Sequence, residues 1–336
     1  MPVDLTTSYM GIPLKHPVVA SASPLSHTLD GIRRLEDGGA SAIVLFSLFE
    51  EQIRFEQDSW DHLSAVGSEA FAESLSYFPP VVQHEVGPFG YVELIRQAKA
   101  AVRIPVIASL NGVTPEGWCD FAREIADAGA DAIELNLFCV PTDVACTGRE
   151  VEDLYESVVR HVARAAGVPI AVKLSPFFSA TGEMARRLVD AGAAALVLFD
   201  RFYQPDFDLD RMEVLPDLQL SSPAEIRLPL LWIAVLHGRC NASLAATTGV
   251  ESGTEVVKFL LAGADVVMTA SSLLRYGPAH AEALVTQLST WMESRGYTSV
   301  QQMKGSMSQQ KVRDPSVFAR ANYMRVLNSY QNPFVP

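Results

Sequence analysis

The residue with most chemistry to offer in this chain is a lysine inside an otherwise apolar run, Ala171-Val172-Lys173-Leu174. Such a run reads as a buried strand, and a buried ammonium is costly unless an anion meets it. Glu134, on a neighbouring strand, is one such anion. The functional alternatives are a cation for an anionic cofactor or intermediate, or a Schiff-base nucleophile. Glu134-Leu-Asn-Leu-Phe-Cys139 closes a second strand. Alternation turns Glu134 and Asn136 the same way, leaving Asn136 at the mouth and Cys139 in the loop beyond. As a thiolate Cys139 is a nucleophile or base, and as a buried thiol it is an inert small residue. Farther on, Thr248-Gly249 and Ala270-Ser271-Ser272 each follow a strand and precede a helix. Small and hydroxylic residues there are either ordinary caps or a phosphate cradle of backbone N–H groups.

The elements that must position these groups announce themselves by repetition. Gly38-Gly-Ala-Ser-Ala-Ile-Val-Leu45 is echoed by Ala128-Gly-Ala-Asp-Ala-Ile-Glu-Leu135, by Ala191-Gly-Ala-Ala-Ala-Leu-Val-Leu198 and by Ala262-Gly-Ala-Asp-Val-Val-Met-Thr269. Each unit is a helix-ending glycine followed by a buried parallel strand. Ile104-Pro-Val-Ile-Ala108 and Val168-Pro-Ile-Ala-Val172 mark junctions of a second kind, where proline stops a helix and feeds a strand. Strands are predicted near 17–21, 41–46, 105–110, 131–136, 169–174, 194–199, 243–248 and 265–270. Helical patterns run between them, as over Pro115–Ala128, Val151–Ala166 and Thr181–Ala191, with Thr114-Pro115-Glu116 and Ser252-Gly-Thr-Glu255 as opening caps. Eight such units make an α/β chain with a (β/α)8 TIM barrel. A doubly wound open sheet is the alternative, but no G-x-G-x-x-G or P-loop follows any strand. The barrel is expected over 1–296, with long loops at about 47–90 and 200–227 after strands two and six. Both leave the strand ends where barrel active sites are built. Residues 297–336 read as a C-terminal extension packed on the outside.

Composition narrows the partners. In 336 residues, 49% are hydrophobic and 19% charged, ample for a core and incompatible with disorder. With 26 Lys+Arg against 39 Asp+Glu the net charge is −13, which argues against nucleic acid and anionic membrane as partners and leaves a small-molecule substrate. The four cysteines form no C-x-x-C pair and no zinc or iron–sulfur spacing, so no metal is expected and a reducing, cytoplasmic setting fits. The N-terminus has no signal-peptide pattern, and the apolar stretch Leu228–Leu236 is too short to span a bilayer.

These motifs together resemble the dihydroorotate dehydrogenases, and especially the divergent proteins called dihydroorotate dehydrogenase-like. Thr7-Ser-Tyr-Met-Gly-Ile-Pro-Leu-Lys-His-Pro17 and Val19-Ala-Ser-Ala22 are similar to the family's opening, which ends in Asn-Ala-Ser-Gly. Glu134-Leu-Asn-Leu-Phe-Cys139 is similar to its Glu-Leu-Asn-Leu-Ser-Cys-Pro-Asn, and Val172-Lys-Leu-Ser-Pro-Phe-Phe178 to its Val-Lys-Leu-Pro-Pro-Tyr-Phe. Thr248-Gly-Val250 and Leu261-Ala-Gly-Ala-Asp265 match its Gly-Gly-Val and Leu-x-Gly-Ala. The resemblance implies FMN as cofactor. Ala20 and Ser21 would line it, Asn136 and Lys173 would contact its ring system, and Thr248, Gly249, Ala270, Ser271 and Ser272 would hold its phosphate. Lys173 would stabilise negative charge on the reduced flavin. Cys139 matches the base of the soluble branch, and a chain that starts directly at the barrel is similar to that branch. Hydride would pass to FMN from dihydroorotate or a related small anionic substrate, in pyrimidine biosynthesis if dihydroorotate is the donor. A homodimer or an electron-transfer partner is compatible with this.

The departures from the family cluster on the substrate side. The family's lysine at the end of strand two is absent from Val44-Leu-Phe-Ser47, and Tyr77-Phe-Pro-Pro80 stands where a Ser-Asn-Gly-x-x-Asn loop is expected. Val140-Pro141 replaces Pro-Asn after Cys139, and Asp200-Arg201 replaces Asn-Ser after strand six. Each lost hydrogen bond to a charged or buried group costs about 1.5–3 kcal/mol. Three or four such losses weaken orotate binding by orders of magnitude, since ~1.4 kcal/mol is tenfold. Asn136, Asp200 and Arg201 are the substrate-side candidates, and Arg201, Arg54, His84 and His237 could supply a different anion site. Two other functions stay open: a phosphate-binding barrel lyase with Lys173 as Schiff-base nucleophile, and a non-catalytic flavin-binding subunit.

Overall fold

Four glycines set the frame. Gly39, Gly129, Gly192 and Gly263 close the helices ahead of four barrel strands, all with φ between 95° and 125°. That left-handed conformation is strained for residues with a Cβ, so each repeat ends its helix at the same point and turns at once into a strand.

The computed structural model describes residues 3–53, 87–112, 118–201, 204–215 and 217–329. A hairpin of β1 (Thr7–Tyr9) and β2 (Ile12–Leu14) opens the chain. The barrel strands follow as β3 (Val18–Ala20), β4 (Ile43–Phe49), β5 (Val106–Asn111), β6 (Ala132–Asn136), β7 (Ile170–Leu174) and β8 (Ala195–Leu198). A second hairpin, β9 (Asp206–Asp208) with β10 (Glu213–Leu215), precedes the last two barrel strands, β11 (Ser243–Ala246) and β12 (Val266–Thr269). All neighbours in the barrel are parallel, in the closed order β11-β12-β3-β4-β5-β6-β7-β8. The (β/α)8 barrel and all eight predicted strands are therefore present. One strand differs in extent: β4 runs on to Phe49, through a register shift between Val44 and Ser47, so the connection after strand two begins later than expected.

Inward and outward faces separate cleanly by alternation. Outward residues such as Ile133, Leu135 and Val172 meet the helices, while Ala132, Ala171, Ala195 and Ala245 point into the barrel beside Val44, Ile107 and Met268. The alanines leave space that the first hairpin fills with Tyr9, Met10 and Leu14. That hairpin is fastened at the N-terminal end of the barrel, Met10 N–H donating to Ser243 Oγ at 3.0 Å and Thr7 Oγ1 to the Asp265 carbonyl at 2.9 Å. One end of the barrel is thus plugged, and the C-terminal ends of the strands are left for the site.

The helices are amphipathic and capped as their sequences dictate. Gly148–Ala165 buries Tyr155, Val158, Val159 and Val162 on one stripe and opens with a Thr147–Glu150 capping box. Gly253–Ala262 opens with the expected Ser252–Glu255 box. Beyond the helix His280–Ser294, the chain returns along the barrel wall. Gly305, Met307 and Gln309 donate backbone hydrogen bonds to Leu260, Leu261 and Ala234, with Val300 and Met303 buried beneath. No helix among the described residues is long and apolar enough to cross a membrane.

The expected cap Thr114-Pro115-Glu116, together with Arg54, His84 and the Tyr77–Pro80 stretch, lies outside the described residues.

Candidate active site

Strand register builds the site. Asn111 on β5 is level with Asn136 on β6, which is level with Lys173 on β7. One step lower, Ser109 is level with Glu134. Because side chains two apart share a face, these polar groups form two layers inside the mouth of the barrel, with Ala171 level with Glu134 in the lower one.

Lys173 is 8% exposed and faces two carboxylates, Glu134 Oε1 at 3.5 Å and Asp200 Oδ1 at 3.9 Å. Burial opposes its charge, but Glu134 and Asp200 outweigh that and hold the ammonium above its usual range. A lysine kept protonated is a poor amine nucleophile, which disfavours the Schiff-base alternative. Glu134 is fully buried, and burial raises its carboxyl above the ordinary range against the pull of Lys173. Its Oε2 has no hydrogen-bond partner. Asp200 accepts from Asn136 Nδ2 on Oδ2 at 2.9 Å and from the Arg201 N–H on Oδ1 at 2.9 Å. Asn136 Oδ1 is buried and has no partner.

Two adjoining cavities open over this cluster, of about 280 Å³ and about 500 Å³, sharing Ala22, Ser23, Pro24, Lys173, Asp200 and Leu218. The smaller reaches the ends of β11 and β12, where Thr248, Gly249, Ala270 and Ser271 line it. Thr248 and Gly249 have φ of 75° and 76°, an unusual conformation for a β-branched residue. Ser221 ties this end together: its Oγ bonds Ser271 Oγ at 2.9 Å and accepts from the Gly249 N–H at 3.1 Å. The larger cavity carries Phe46, Phe49 and Phe138 beside Ser47, Asn111 and Asn136.

The remaining expected residues fall in several places. Ser21 lines the smaller cavity, whereas the Ala20 side chain turns outward into the core. Ser272 is fully buried, its Oγ 2.8 Å from Thr269 Oγ1, so its side chain does not reach the cavity. Arg201 lines the smaller cavity with its Nε 3.2 Å from Glu225 Oε1. His237 bonds the Gly263 carbonyl at 3.0 Å and lies apart from both cavities, because the repeat glycine it packs against closes a helix at the opposite end of the barrel. Cys139 lines neither cavity. Its backbone N–H donates to Tyr155 Oη at 3.3 Å, and burial, with Cys146 nearby, pushes its thiol above the usual range.

Sequence reading did not single out Ala22, Ser23, Ser47, Asn111 or Ser221. Asn111 ends a strand exactly as Asn136 does and was open to the same argument. Ser221 comes from a connection with no period, and nothing in the sequence marks it.

The dihydroorotate dehydrogenase family model matches residues 89–292, more than half of the chain. A catalytic subunit of dihydroorotate dehydrogenase B (NAD(+)) from Thermoplasma acidophilum is 28% identical over 307 residues, 90% of this chain and 98% of that protein. Its counterpart from Methanothermobacter thermautotrophicus is 28% identical over 319 residues, 90% of this chain and 97% of that one. The PreA subunit of an NAD-dependent dihydropyrimidine dehydrogenase from Escherichia coli is 22% identical over 317 residues, 90% of this chain and 76% of that one.

Proposed function

The chain belongs to the dihydroorotate dehydrogenase family and is an oxidoreductase of that type, and from that premise we propose that it uses FMN to oxidise a CH–CH bond of a dihydropyrimidine ring, dihydroorotate being the first donor to test. The observation that carries this reading is the Lys173–Asn136–Asp200 cluster, whose Lys173 and Asp200 are shared by two cavities. One cavity ends in small residues and the other is wider and carries three phenylalanines, which suits a phosphorylated cofactor in the first and a flat ring in the second.

The residues present fit a flavin. The small and hydroxylic residues that close the smaller cavity, Thr248, Gly249 and Ser271, leave room for a phosphate, as this cofactor requires. Lys173 supplies a fixed positive charge in a site that largely excludes water. Ser21, Thr248, Gly249, Ala270 and Ser271 would hold the phosphate end, with Ala20 and Ser272 contributing through their backbone alone. When bound, FMN supplies a two-electron acceptor for hydride.

The protein's own part is to bind, orient and move a proton. Asn136 and Lys173 orient the ring system, and Phe46, Phe49 and Phe138 offer apolar surface to the donor. Cys139 is the base in this reading: it follows Phe138, which lines the larger cavity, and its loop has to turn the thiol to the ring proton once the donor is bound. Its thiol is held above the usual range, so the base form grows with rising pH. The acceptor for the electrons is a partner protein or a small oxidant, in keeping with relatives named as catalytic subunits.

The test is anaerobic mixing of the FMN-loaded protein with dihydroorotate and with the same ring lacking the carboxylate, followed by flavin absorbance. Bleaching by either ring is the expected result. A flavin that stays oxidised with both overturns the reading.

A further inference from the structure

The arrangement of Asp200 carries a statement about which ring the site accepts, and it rests on the dihydropyrimidine reading above. A carboxylate only accepts hydrogen bonds, so the contact between Asp200 Oδ2 and Asn136 fixes the amide with Nδ2 toward Asp200. The Oδ1 of Asn136 is thereby turned away from Asp200 and is buried without a partner. An asparagine at position 200 would impose no such direction, since its amide can donate or accept. Asp200 also sets the charge. Among the described residues lining the larger cavity, Lys173 is the only lysine or arginine, and it already faces Glu134 and Asp200. Arg201 lines only the smaller cavity and is engaged by Glu225. Among the described residues, two carboxyl groups, Glu134 and Asp200, therefore face this one ammonium.

A ligand that complements this centre carries no anion of its own. A carboxylate on the ring would have to share the site with Asp200, and like charges in a partly desolvated site discriminate strongly against the wrong partner. We propose that Asp200 is the specificity-determining residue of this site, selecting an uncharged dihydropyrimidine over the carboxylate-bearing ring of the same skeleton.

The experiment uses the full chain loaded with FMN and two pairs of probes, dihydrouracil against dihydroorotate and their oxidised forms uracil against orotate. Anaerobic flavin reduction reads the first pair, and calorimetric titration reads the second without any turnover. The wild-type protein is expected to favour the uncharged ring in both readouts by roughly tenfold or more, tenfold being ~1.4 kcal/mol. Asp200→Asn is expected to move both ratios toward the carboxylate-bearing ring by a similar factor, each ratio being read on protein saturated with FMN. A wild-type preference for dihydroorotate and orotate, or ratios unchanged in Asp200→Asn, overturns the proposal and leaves the flavin reading intact. Should Asp200→Asn not fold, Asp200→Ser, which also removes the charge, is read in its place. A flavin reduced by neither ring removes the dehydrogenase reading, and the uracil-to-orotate ratio still judges Asp200.

Discussion

Lys173 Nζ lies 3.5 Å from Glu134 Oε1, and the carboxylate it meets is wholly buried with its other oxygen unpartnered. Removing the ammonium therefore strands a charge inside the barrel. Lys173→Met is expected to lose about 3–5 kcal/mol of stability at neutral pH, the usual penalty for breaking a buried pair. Glu134 already has a raised folded pKa, so the penalty shrinks as pH falls toward the ordinary value of 4.5 and grows as pH rises above it. Denaturant unfolding at several pH values checks this. The double variant Lys173→Met, Glu134→Gln should recover most of the stability and none of the flavin retention.

His16 offers a separate pH signature. It is buried, its Nδ1 accepts from the Val18 N–H at 3.3 Å, and burial, with Lys15 nearby, depresses it from 6.5 to about 4. A depressed folded value means the contribution is present above pH 6.5 and is lost as pH falls through about 4. The span corresponds to on the order of 3 kcal/mol. His16→Asn should flatten the acid limb of a stability profile, and an unchanged limb would show that another group governs it.

The pair Thr248 and Gly249 predicts different outcomes for exchanging glycine and alanine-sized side chains. Both residues are left-handed, and a Cβ on Gly249 would lie 2.6 Å from the Ser222 carbonyl oxygen. Thr248→Gly should be close to neutral, since relief of about 1 kcal/mol of backbone strain is offset by loss of the hydrogen bond its Oγ1 donates to the Phe199 carbonyl at 3.0 Å. Gly249→Ala should cost at least about 2 kcal/mol and weaken FMN binding, because backbone must move at the phosphate end. Thermal unfolding and FMN titration of the two variants measure both effects.

For Cys139, the expected behaviour is that of a base only partly available at neutral pH. Its thiol is pushed above the usual range by burial and by Cys146. The rate of flavin reduction should climb with pH, and Cys139→Ala should lower it by roughly 10²–10⁴ without changing flavin content. Under brief alkylation at neutral pH, the exposed Cys146 should react before Cys139. A flat pH profile together with full activity in Cys139→Ala would remove it from the mechanism.

The barrel was legible because its rule is local. Gly129, Gly192 and Gly263 stop helices by backbone conformation, and the apolar run after each is buried on both faces, so four residues suffice to announce a strand. Lys173 and Asn136 were legible for the same reason, as polar residues in positions where alternation points inward. Ser221 was not, because its place beside Gly249 and Ser271 depends on how a long connection folds back across the barrel. The side-chain directions of Ala20 and Ser272 depend on single-residue register, which a run of small residues leaves undetermined. The substrate-side charge was half visible: Asp200 stood out as a departure, but its bond to Asn136 needed two strands sixty-four residues apart in the chain to be brought together.

The central claim is that the mouth of this barrel holds a flavin beside Lys173, and equilibrium titration of the purified chain with FMN tests it most directly. The account predicts one FMN bound per chain with a protein-perturbed flavin spectrum, and affinity falling at least roughly tenfold in Lys173→Met, Glu134→Gln, a variant that removes the charge without stranding its partner. A folded protein that takes up no FMN, or one that binds it equally well without Lys173, would contradict it.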